Sequence, residues 1–478
     1  MTEHYDLVII GGGPAGYAAA LYAGGAGLTV GLVERDKIGG TCLHRGCIPA
    51  KELLETAAVH RTVSEAAEFG VMASAPTLDF SVTQARKQRI VDGLASGVES
   101  LLKRRKAKIF RGTGSLGANR QVTVTAPDGT SAVISGDAVL LAAGSVPRTI
   151  PGFEVGGPIM TSDEVLEMPA IPESAVVIGG GAIGCEFASM MSDLGSKVTI
   201  LEADSQIVPG VDSDIGKALS RSFNKRGIDV LTGVKVTGHT LGGVGTTVHV
   251  DGADDLEVAA VVVCIGRRPF PDHLFADGTG GAGLNSAGLN SAGVAVDGRG
   301  FVEVNEFCQT SAEGVYALGD LIATPQLAHV GFAEAIMVVK DILGEDPSPI
   351  DYANVPWAIY CHPEVAFAGM TEAEAREAGF DVVVAKHRFT GNSRAMIINE
   401  TDGMVKVIAE KDAHGDAGRI LGVHMMGPWV TEQIGQGYLA VNWEATVEEV
   451  ASFIQPHPTL SELFGETMLD LTGRGLHG

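Results

Sequence analysis

Two cysteines followed by a lysine form the stretch with the clearest chemical potential. Cys42 and Cys47 are five positions apart, with two glycines shortly before the first cysteine and one between the two, and Lys51 follows four positions later. Two thiols this close can form a small disulfide ring that is made and broken during turnover. They could instead be two core thiols that are neighbours by chance, or half of a metal site that includes His44. No second Cys/His pair at metal-ligand spacing follows, so the sequence favours a redox pair.

A histidine and a glutamate near the C-terminus could move protons. His457 lies between two prolines, and Glu462 follows five positions later. A carboxylate at this spacing can hold the imidazole in one tautomer and raise its basicity, as a general base requires. A histidine between prolines is also a common turn residue, so its role depends on the rest of the chain.

A glycine-rich turn near the N-terminus predicts a dinucleotide site. The apolar run 7–10 leads into a turn in which Gly11, Gly13 and Gly16 fit the pattern G-x-G-x-x-G, called here the first fingerprint. An alanine-rich helix and a second strand follow, and the strand ends at Glu34. Glycines permit the tight turn and the approach of backbone N–H groups to a pyrophosphate, and the carboxylate suits a ribose. The order strand, helix, strand and acid makes the prediction specific.

The same pattern recurs at a constant offset of 168 positions. Gly179, Gly181 and Gly184 form a second fingerprint, and Glu202 takes the place of Glu34. Two such patterns predict two dinucleotide-binding domains and a redox enzyme that passes electrons between the two cofactors. Glu202 repels a 2′-phosphate, and residues 203–207 contain no basic side chain to neutralise one, so the second site is predicted to favour NAD over NADP.

The remaining pattern predicts an α/β fold with two Rossmann-like dinucleotide-binding domains and a C-terminal α+β dimerisation domain. We expect a first FAD-binding part at 1–150, an NAD-binding domain at 151–272, a second FAD-binding part at 273–347 and the dimerisation domain at 348–478. Residues 273–300 are predicted to be a surface insertion, because Gly283–Ala287 is repeated at once as Gly288–Ala292. Further helices are predicted at 53–69, 82–106, 331–343, 372–378 and 431–444.

Composition excludes several classes of function. The formal net charge of −24 argues against a nucleic-acid binder or a partner of anionic membranes. The first six residues lead directly into an apolar run with no basic region before it, so no signal peptide is expected, and no apolar run approaches the length needed to span a bilayer. Six cysteines in 478 residues are too few for a structural disulfide framework. We therefore expect a cytoplasmic protein.

Taken together, these stretches resemble the flavin-linked disulfide reductases over nearly the whole chain, and most closely the members that oxidise dihydrolipoyl groups. The similarity is carried by the segments 39–51, 310–320, 356–364, 391–395 and 457–462. The resemblance implies a homodimer with shared active sites that binds FAD and NAD and contains no catalytic metal. It also implies a partner, the lipoyl-bearing subunit of a 2-oxo acid dehydrogenase or glycine cleavage complex.

The resemblance assigns roles residue by residue. Cys42 and Cys47 would be the redox disulfide, and His457 with Glu462 the acid–base dyad supplied by the opposite subunit. Glu34 would bind the adenosine ribose of FAD, Asp320 its ribityl chain, and Lys51 would lie near the flavin and pair with Glu186. The further expected FAD contacts are Gly11, Gly13, Gly16, Gly40, Thr41, Gly114, Ala143, Gly144, Ala328 and His329. The expected NAD contacts are Gly179, Gly181, Gly184, Glu186, Glu202, Val236, Gly266 and Arg267.

The substrate is less constrained than the chemistry. A related reductase that acts on mycothione, another small disulfide or a quinone fits the same residues. Mercuric reductase is disfavoured because residues 471–478 contain no cysteine. A subunit without catalytic activity is disfavoured because both cysteines and the dyad are intact.

Overall fold

The computed structural model describes residues 3–243, 245–271, 273–275, 288–289 and 292–477. The chain divides into two compact units. The first comprises Met1–Glu52, Ser81–Arg148 and Gly266–Tyr352, and the second comprises Leu53–Phe80, Thr149–Ile265 and Ala353–Gly478. None of the described helices is both long and apolar enough to cross a membrane.

The helices are numbered in chain order. They are α1 Pro14–Gly25, α2 Gly40–Arg45, α3 Cys47–Glu65, α4 Phe80–Arg104, α5 Ser162–Glu167, α6 Ala182–Asp193, α7 Ser213–Lys225, α8 Ala328–Leu343, α9 Glu372–Glu377, α10 Ser393–Ile397, α11 Val430–Asn442, α12 Val447–Ala451 and α13 Glu462–Leu471.

The strands are numbered in the same way. They are β1 Glu3–Ile10, β2 Val30–Glu34, β3 Lys108–Arg111, β4 Thr113–Leu116, β5 Gln121–Thr125, β6 Ser131–Leu141, β7 Ser145–Pro147, β8 Ile159–Met160, β9 Ser174–Ile178, β10 Lys197–Glu202, β11 Asp229–Thr232, β12 Lys235–Leu241, β13 Thr246–Asp251, β14 Leu256–Val258, β15 Ala260–Val263, β16 Arg267–Pro269, β17 Gly288–Leu289, β18 Ala295–Val296, β19 Val315–Ala317, β20 Trp357–Ile359, β21 Glu364–Gly369, β22 Val382–Arg388, β23 Met404–Lys411 and β24 Ala417–Gly427.

The first unit is built on a seven-stranded sheet in the order β3-β2-β1-β6-β5-β4, with β19 also paired to β6. The pairs β1–β2, β1–β6, β2–β3 and β6–β19 are parallel. The apolar run 7–10 lies on β1, between β2 and β6 inside this sheet, and is buried. The carboxyl ends of β1, β6 and β19 therefore meet at one edge, which is where ligands bind in open parallel sheets.

The second unit contains two larger sheets. One is parallel, in the order β11-β10-β9-β15-β8. The other is antiparallel, in the order β20-β21-β24-β23-β22, and is called here the dimerisation sheet. A three-stranded antiparallel sheet, β12-β13-β14, completes the unit.

The internal repeat is visible in the backbone. α1 begins at Pro14 and α6 at Ala182, and both helices are 12 residues long, so the offset of 168 positions is maintained. The glycine after each helix has the same left-handed conformation, with φ of 94° at Gly27 and 99° at Gly195. The two fingerprints are thus two copies of one structural unit.

Several elements differ in extent from the sequence prediction. α3 begins at Cys47 rather than at residue 53, and a 3-10 turn, Ala66–Phe69, follows its end. α8 begins at Ala328, three residues earlier than predicted. Half of the predicted insertion, including the first copy of its duplicated pentapeptide and two residues of the second copy, lies outside the described residues. The three boundaries between the four predicted segments stay predictions.

Candidate active site

The two cysteines lie on consecutive helices that are held against the first fingerprint. Cys42 is on α2 and Cys47 opens α3. Gly40, at the start of α2, has φ of 57°, and a Cβ there would lie 2.5 Å from the Cα of Gly13. Only glycine permits this approach of two backbones. The imidazole Nε2 of His44 donates a hydrogen bond to the carbonyl of Ile38 at 2.8 Å and fixes the loop that leads into α2.

The sulfurs of the pair interact directly. In the structure both are thiols rather than a disulfide. A hydrogen bond between the side chains of Cys42 and Cys47 is the main cause that raises the pKa of Cys42, and burial raises it further. The positive charge of Lys51 acts in the opposite direction and favours the thiolate. The pair is therefore close enough for mutual chemistry and has a cation in range.

A tyrosine that the sequence reasoning missed lies near the pair. Tyr17 is on α1, and burial is the main cause that raises its pKa, followed by the charges of Cys42 and Cys47. Its ring contacts that of Phe332 on α8, with the centroids 5.8 Å apart. The sequence could have indicated this residue, because Tyr17 directly follows Gly16 of the predicted cofactor turn.

The first fingerprint has the geometry of a dinucleotide-binding turn: two of its glycines are in close backbone contact, and the third faces open space. A Cβ on Gly11 would lie 2.2 Å from the carbonyl oxygen of Ala142, and one on Gly16 would lie 1.8 Å from that of Gly11. At Gly13 the nearest atom would be 3.9 Å away, which leaves room for a pyrophosphate. No side chain caps the start of α1, so its first N–H groups can donate to phosphate oxygens.

The carboxylate of Glu34 closes this turn. Oε2 accepts a hydrogen bond from the backbone N–H of Gly12 at 2.7 Å, and Oε1 accepts one from that of Asp36 at 2.7 Å. Each oxygen retains a second lone pair that a ribose hydroxyl can use.

The second fingerprint repeats these contacts. Cβ atoms on Gly179 and Gly184 would lie 2.4 and 1.9 Å from carbonyl oxygens, whereas one on Gly181 would meet no atom within 4 Å. Glu202 accepts from the backbone N–H of Gly180 at 2.6 Å and from that of Asp204 at 2.8 Å. The start of α6 also has no side-chain cap. These residues fit a second dinucleotide.

Asp320 lies in a polar cluster that the sequence did not reveal. Its carboxylate accepts a hydrogen bond from the hydroxyl of Ser145. Arg267 donates from Nε to the same hydroxyl at 2.7 Å, and this nitrogen lies 3.9 Å from Oδ2 of Asp320. The structure therefore places Arg267 beside Asp320 in the first unit, although it was predicted as an NAD contact; that role stays a prediction.

A buried glutamate supports the turn that carries Asp320. Glu334 on α8 is fully buried, and its Oε2 accepts from the N–H of Gly319 at 2.6 Å. Its Oε1 accepts from the hydroxyls of Thr324 at 2.9 Å and Tyr352 at 3.0 Å. Burial raises the pKa of Glu334 despite these bonds. The residue fixes the end of β19 next to Asp320.

The histidine and glutamate near the C-terminus form the predicted pair. Nδ1 of His457 lies 2.7 Å from Oε1 of Glu462, and the other carboxylate oxygen accepts from the N–H of Thr459 at 2.6 Å. The contact holds the imidazole with Nε2 directed away from the carboxylate, and 72% of the histidine side chain is exposed. An accessible, oriented imidazole is suited to remove a proton from an incoming group.

The structure places the other predicted residues on several different elements, and their roles stay predictions. Gly114 is on β4, Ala143 and Gly144 follow β6, Ala328 and His329 open α8, Val236 is on β12 and Gly266 precedes β16. Glu186 on α6 is buried and accepts from the N–H of Tyr360 at 2.9 Å. Lys51 and Glu186 belong to different units, so their pairing stays a prediction.

The four remaining cysteines have inert surroundings. Burial raises the pKa of Cys264 and of Cys308 to about 12, and it raises those of Cys185 and Cys361 as well. Thiols in such surroundings are weak nucleophiles. Among the described residues, no group of three or more His, Cys, Asp or Glu side chains has the arrangement of a metal site.

Two dinucleotide turns, one of which packs against a pair of interacting thiols, define a nucleotide-linked disulfide oxidoreductase. The chain belongs to the pyridine nucleotide-disulphide oxidoreductase family: residues 5–335 match that family, and residues 355–468 match its dimerisation domain. This confirms the predicted family and fold class.

Similar proteins cover the full length of the chain. The protein of Bacillus subtilis (strain 168) named dihydrolipoyl dehydrogenase is 40% identical over 493 residues, which cover 100% of both chains. Dihydrolipoyl dehydrogenase 3 of Pseudomonas putida is 37% identical and covers 99% of both. The crystal structure of LpdA from Mycobacterium tuberculosis has a TM-score of 0.87 at 25% identity and covers 98% of this chain and 100% of that one. The HOCl-induced flavoprotein disulfide reductase RclA of Escherichia coli, as its Cu(II) complex, has a TM-score of 0.85 at 28% identity and covers 99% of both.

Proposed function

We propose that this protein oxidises protein-bound dihydrolipoyl groups to the lipoyl disulfide and reduces NAD⁺ to NADH, with FAD as the resident cofactor. The observation that carries the proposal is the contact between Cys42 and Cys47 on helices packed against the first fingerprint. The proteins named dihydrolipoyl dehydrogenase that match the chain end to end support this substrate over a small disulfide or a quinone.

The reaction on sulfur uses the dyad and the cysteine pair. His457, oriented by Glu462, removes the proton of one substrate thiol, because a thiolate is the effective nucleophile. The thiolate attacks Sγ of Cys42 in the Cys42–Cys47 disulfide, and the S–S bond breaks with its electron pair on Cys47. The second substrate thiol then displaces Cys42, which leaves an oxidised lipoyl group and two reduced cysteines. Two electrons and two protons have left the substrate.

The residues around each fingerprint would hold the two cofactors. Gly13, Glu34 and Asp320 would hold the pyrophosphate, the adenosine ribose and the ribityl chain of FAD, which would supply an acceptor for the two electrons and a hydride donor to NAD⁺. NAD would lie at Gly181 and Glu202. The carboxylate of Glu202 would reject a 2′-phosphate, so the cofactor is NAD rather than NADP.

The active form would be a homodimer in which each site uses the disulfide of one subunit and the dyad of the other. The chain contains the family's dimerisation domain. The exposed imidazole of His457 can reach a partner without a change in its contact to Glu462. The physiological partner would be the lipoyl-bearing subunit of a 2-oxo acid dehydrogenase or glycine cleavage complex, and the protein would be cytoplasmic.

A substrate panel tests the proposal. Purified protein is assayed for oxidation of dihydrolipoamide with NAD⁺ or NADP⁺, and for reduction of glutathione disulfide, mycothione disulfide and quinones. We expect kcat/KM for dihydrolipoamide with NAD⁺ to exceed every other combination, and Cys47→Ser to abolish it. Cys308→Ser, at a buried cysteine outside the segment 39–51, is the matched control and should retain activity. A higher kcat/KM for mycothione disulfide or a quinone would overturn the proposal.

A further inference from the structure

A cluster of charged residues in the second unit takes no part in the chemistry above. Lys406, on β23 of the dimerisation sheet, is 1% exposed. Its Nζ lies 2.8 Å from a carboxylate oxygen of each of Asp212, Asp214 and Glu372. Burial acts to lower the pKa of Lys406, but the three carboxylates outweigh it and raise the pKa, so the lysine is charged. Removal of a buried charge from its partners is costly, so this lysine holds the segments that carry the three carboxylates in place.

One of these partners, Asp212, lies at the end of the segment that follows Glu202. Residues 203–211, called here the cofactor loop, connect Glu202 to Asp212. The backbone N–H of Asp212 donates to Nδ1 of His424 at 3.2 Å, and Nε2 of that histidine donates to the carbonyl of Met370 at 3.0 Å. The carboxylate of Asp212 also accepts from the N–H of Glu372 at 3.0 Å. The dimerisation domain thus holds Asp212 by both its backbone and its side chain.

The middle of the loop is held against the second fingerprint in a strained conformation. Val208 has φ of 50°, which a β-branched residue rarely adopts. Its N–H donates to the carbonyl of Gly180 at 2.7 Å, and the N–H of Gly180 donates to Glu202. A strained residue keeps such a conformation only where its surroundings enforce it. Here the N–H of Val208 is bonded to Gly180, and its carbonyl accepts from the N–H of Val211 at 3.0 Å, one residue before the anchored Asp212.

We propose that Lys406 and His424 are positioning residues that hold the cofactor loop in the form that binds the adenosine half of NAD. Release of Asp212 would let Val208 return to a favourable conformation and withdraw its N–H from Gly180. The turn that faces the pyrophosphate and the ribose would then lose its shape. The affinity for the nucleotide is in this way coupled to the dimerisation sheet. The inference rests on the proposed function, because it assumes that the second fingerprint holds NAD.

The test separates nucleotide binding from sulfur chemistry. ADP-ribose contains the adenosine half of NAD without the nicotinamide, and its binding is measured by titration calorimetry on the dimeric FAD-bound protein. We expect Lys406→Met to weaken ADP-ribose binding at least tenfold. Lys386→Met is the matched control, because Lys386 also pairs with Asp214, at 3.2 Å, but is half exposed; it should change the affinity less than twofold.

A merely structural role predicts a different pattern. Reduction of the Cys42–Cys47 pair by dihydrolipoamide, followed without NAD by counting reactive thiols, should keep its wild-type rate in Lys406→Met. Equal loss of both functions would mean that the cluster only maintains the fold and would overturn the inference. Wild-type affinity for ADP-ribose in a folded, dimeric Lys406→Met protein would overturn it too.

A measurement on the unaltered protein covers the case in which Lys406→Met does not fold. Because coupling between two sites is reciprocal, ADP-ribose should slow hydrogen exchange at the amide of Asp212 and in the peptide around Lys406. Unchanged exchange at both places with ADP-ribose bound would refute the coupling. Failure of the wild-type protein to bind ADP-ribose at all would instead refute the assignment of NAD to the second fingerprint.

Discussion

The two fingerprint glutamates show how one side chain can serve both the fold and a ligand. Glu34 and Glu202 each accept two hydrogen bonds from backbone N–H groups. One donor is in the glycine turn before the helix, and the other is two residues after the glutamate itself. Both side chains are buried, with 9% exposed. The turn is therefore shaped before a nucleotide binds, and the ligand does not have to organise it.

Replacement of Glu202 should change the choice of nucleotide. In Glu202→Arg the repulsion of a 2′-phosphate becomes attraction, so the ratio of kcat/KM for NADP⁺ to that for NAD⁺ should rise by one to two orders of magnitude, about 1–3 kcal/mol of interaction. Glu202→Gln is the control, because it removes the charge without supplying attraction and should give a smaller rise. A wild-type protein that already prefers NADP⁺ would contradict the assignment.

Replacement of Cys42 should isolate its partner next to the flavin. In Cys42→Ser, Cys47 cannot form the disulfide and remains a thiol or thiolate close to Lys51. We expect a yellow protein with a long-wavelength absorption band in the absence of any reductant, whereas wild type should need two-electron reduction to show it. Cys308→Ser should behave as wild type. A colourless protein after expression with ample flavin would contradict the assignment of FAD.

At the scale of elements, a single glutamate on α8 connects the end of β19 to the rest of the first unit. Glu334 accepts hydrogen bonds from Gly319, Thr324 and Tyr352, and its pKa is raised by burial. A raised pKa in the folded state means that this group favours folding most at acidic pH and less as pH rises through that pKa. At neutral pH, Glu334 contributes to stability through the three hydrogen bonds that it accepts.

Removal of this carboxylate should weaken the turn around Asp320. Glu334→Ala leaves three partly buried donors without their acceptor, so we expect the free energy of unfolding to fall by about 3 kcal/mol. The dissociation constant for FAD should rise as well, because Gly319 precedes Asp320. Denaturant unfolding and flavin fluorescence measure the two effects. Glu345→Ala, at an exposed glutamate just after α8, should change neither; an unchanged FAD affinity in Glu334→Ala would separate this residue from the cofactor site.

The sequence predicted most elements where hydrophobic pattern and glycine position agree, as at β1, α1 and the second fingerprint. It placed the start of α3 at residue 53 instead of Cys47; Pro49 lies in the first turn of the helix, where proline is tolerated. It missed the sheet β12-β13-β14, whose short strands are largely polar. Contacts such as that of Ser145 with Asp320 join residues 175 positions apart, and no local pattern predicts them.

At the scale of the whole molecule, the dimerisation domain exposes apolar side chains close in sequence to the dyad. Trp443, Phe453 and Ile454 are exposed, and they precede His457. This apolar surface is suited to an interface between chains. Association of two chains through the domain would cover it and would place each dyad next to a partner.

The shared-site hypothesis predicts that two inactive proteins restore each other. His457→Gln should lose about two to four orders of magnitude of activity, the usual contribution of a positioned base, and Cys47→Ser should be inactive. After the two are mixed, unfolded and refolded together, half of the dimers contain one chain of each kind.

Each mixed dimer has one site with an intact disulfide from one chain and an intact histidine from the other, whereas its second site carries both lesions. Activity in the dihydrolipoamide assay should therefore recover to roughly a quarter of wild type, since half of the dimers have half of their sites. Each variant refolded alone is the control and should remain at its own low activity. If the disulfide and the dyad of one site came from the same chain, every site in a mixed dimer would carry a lesion, and the mixture would stay as inactive as its components.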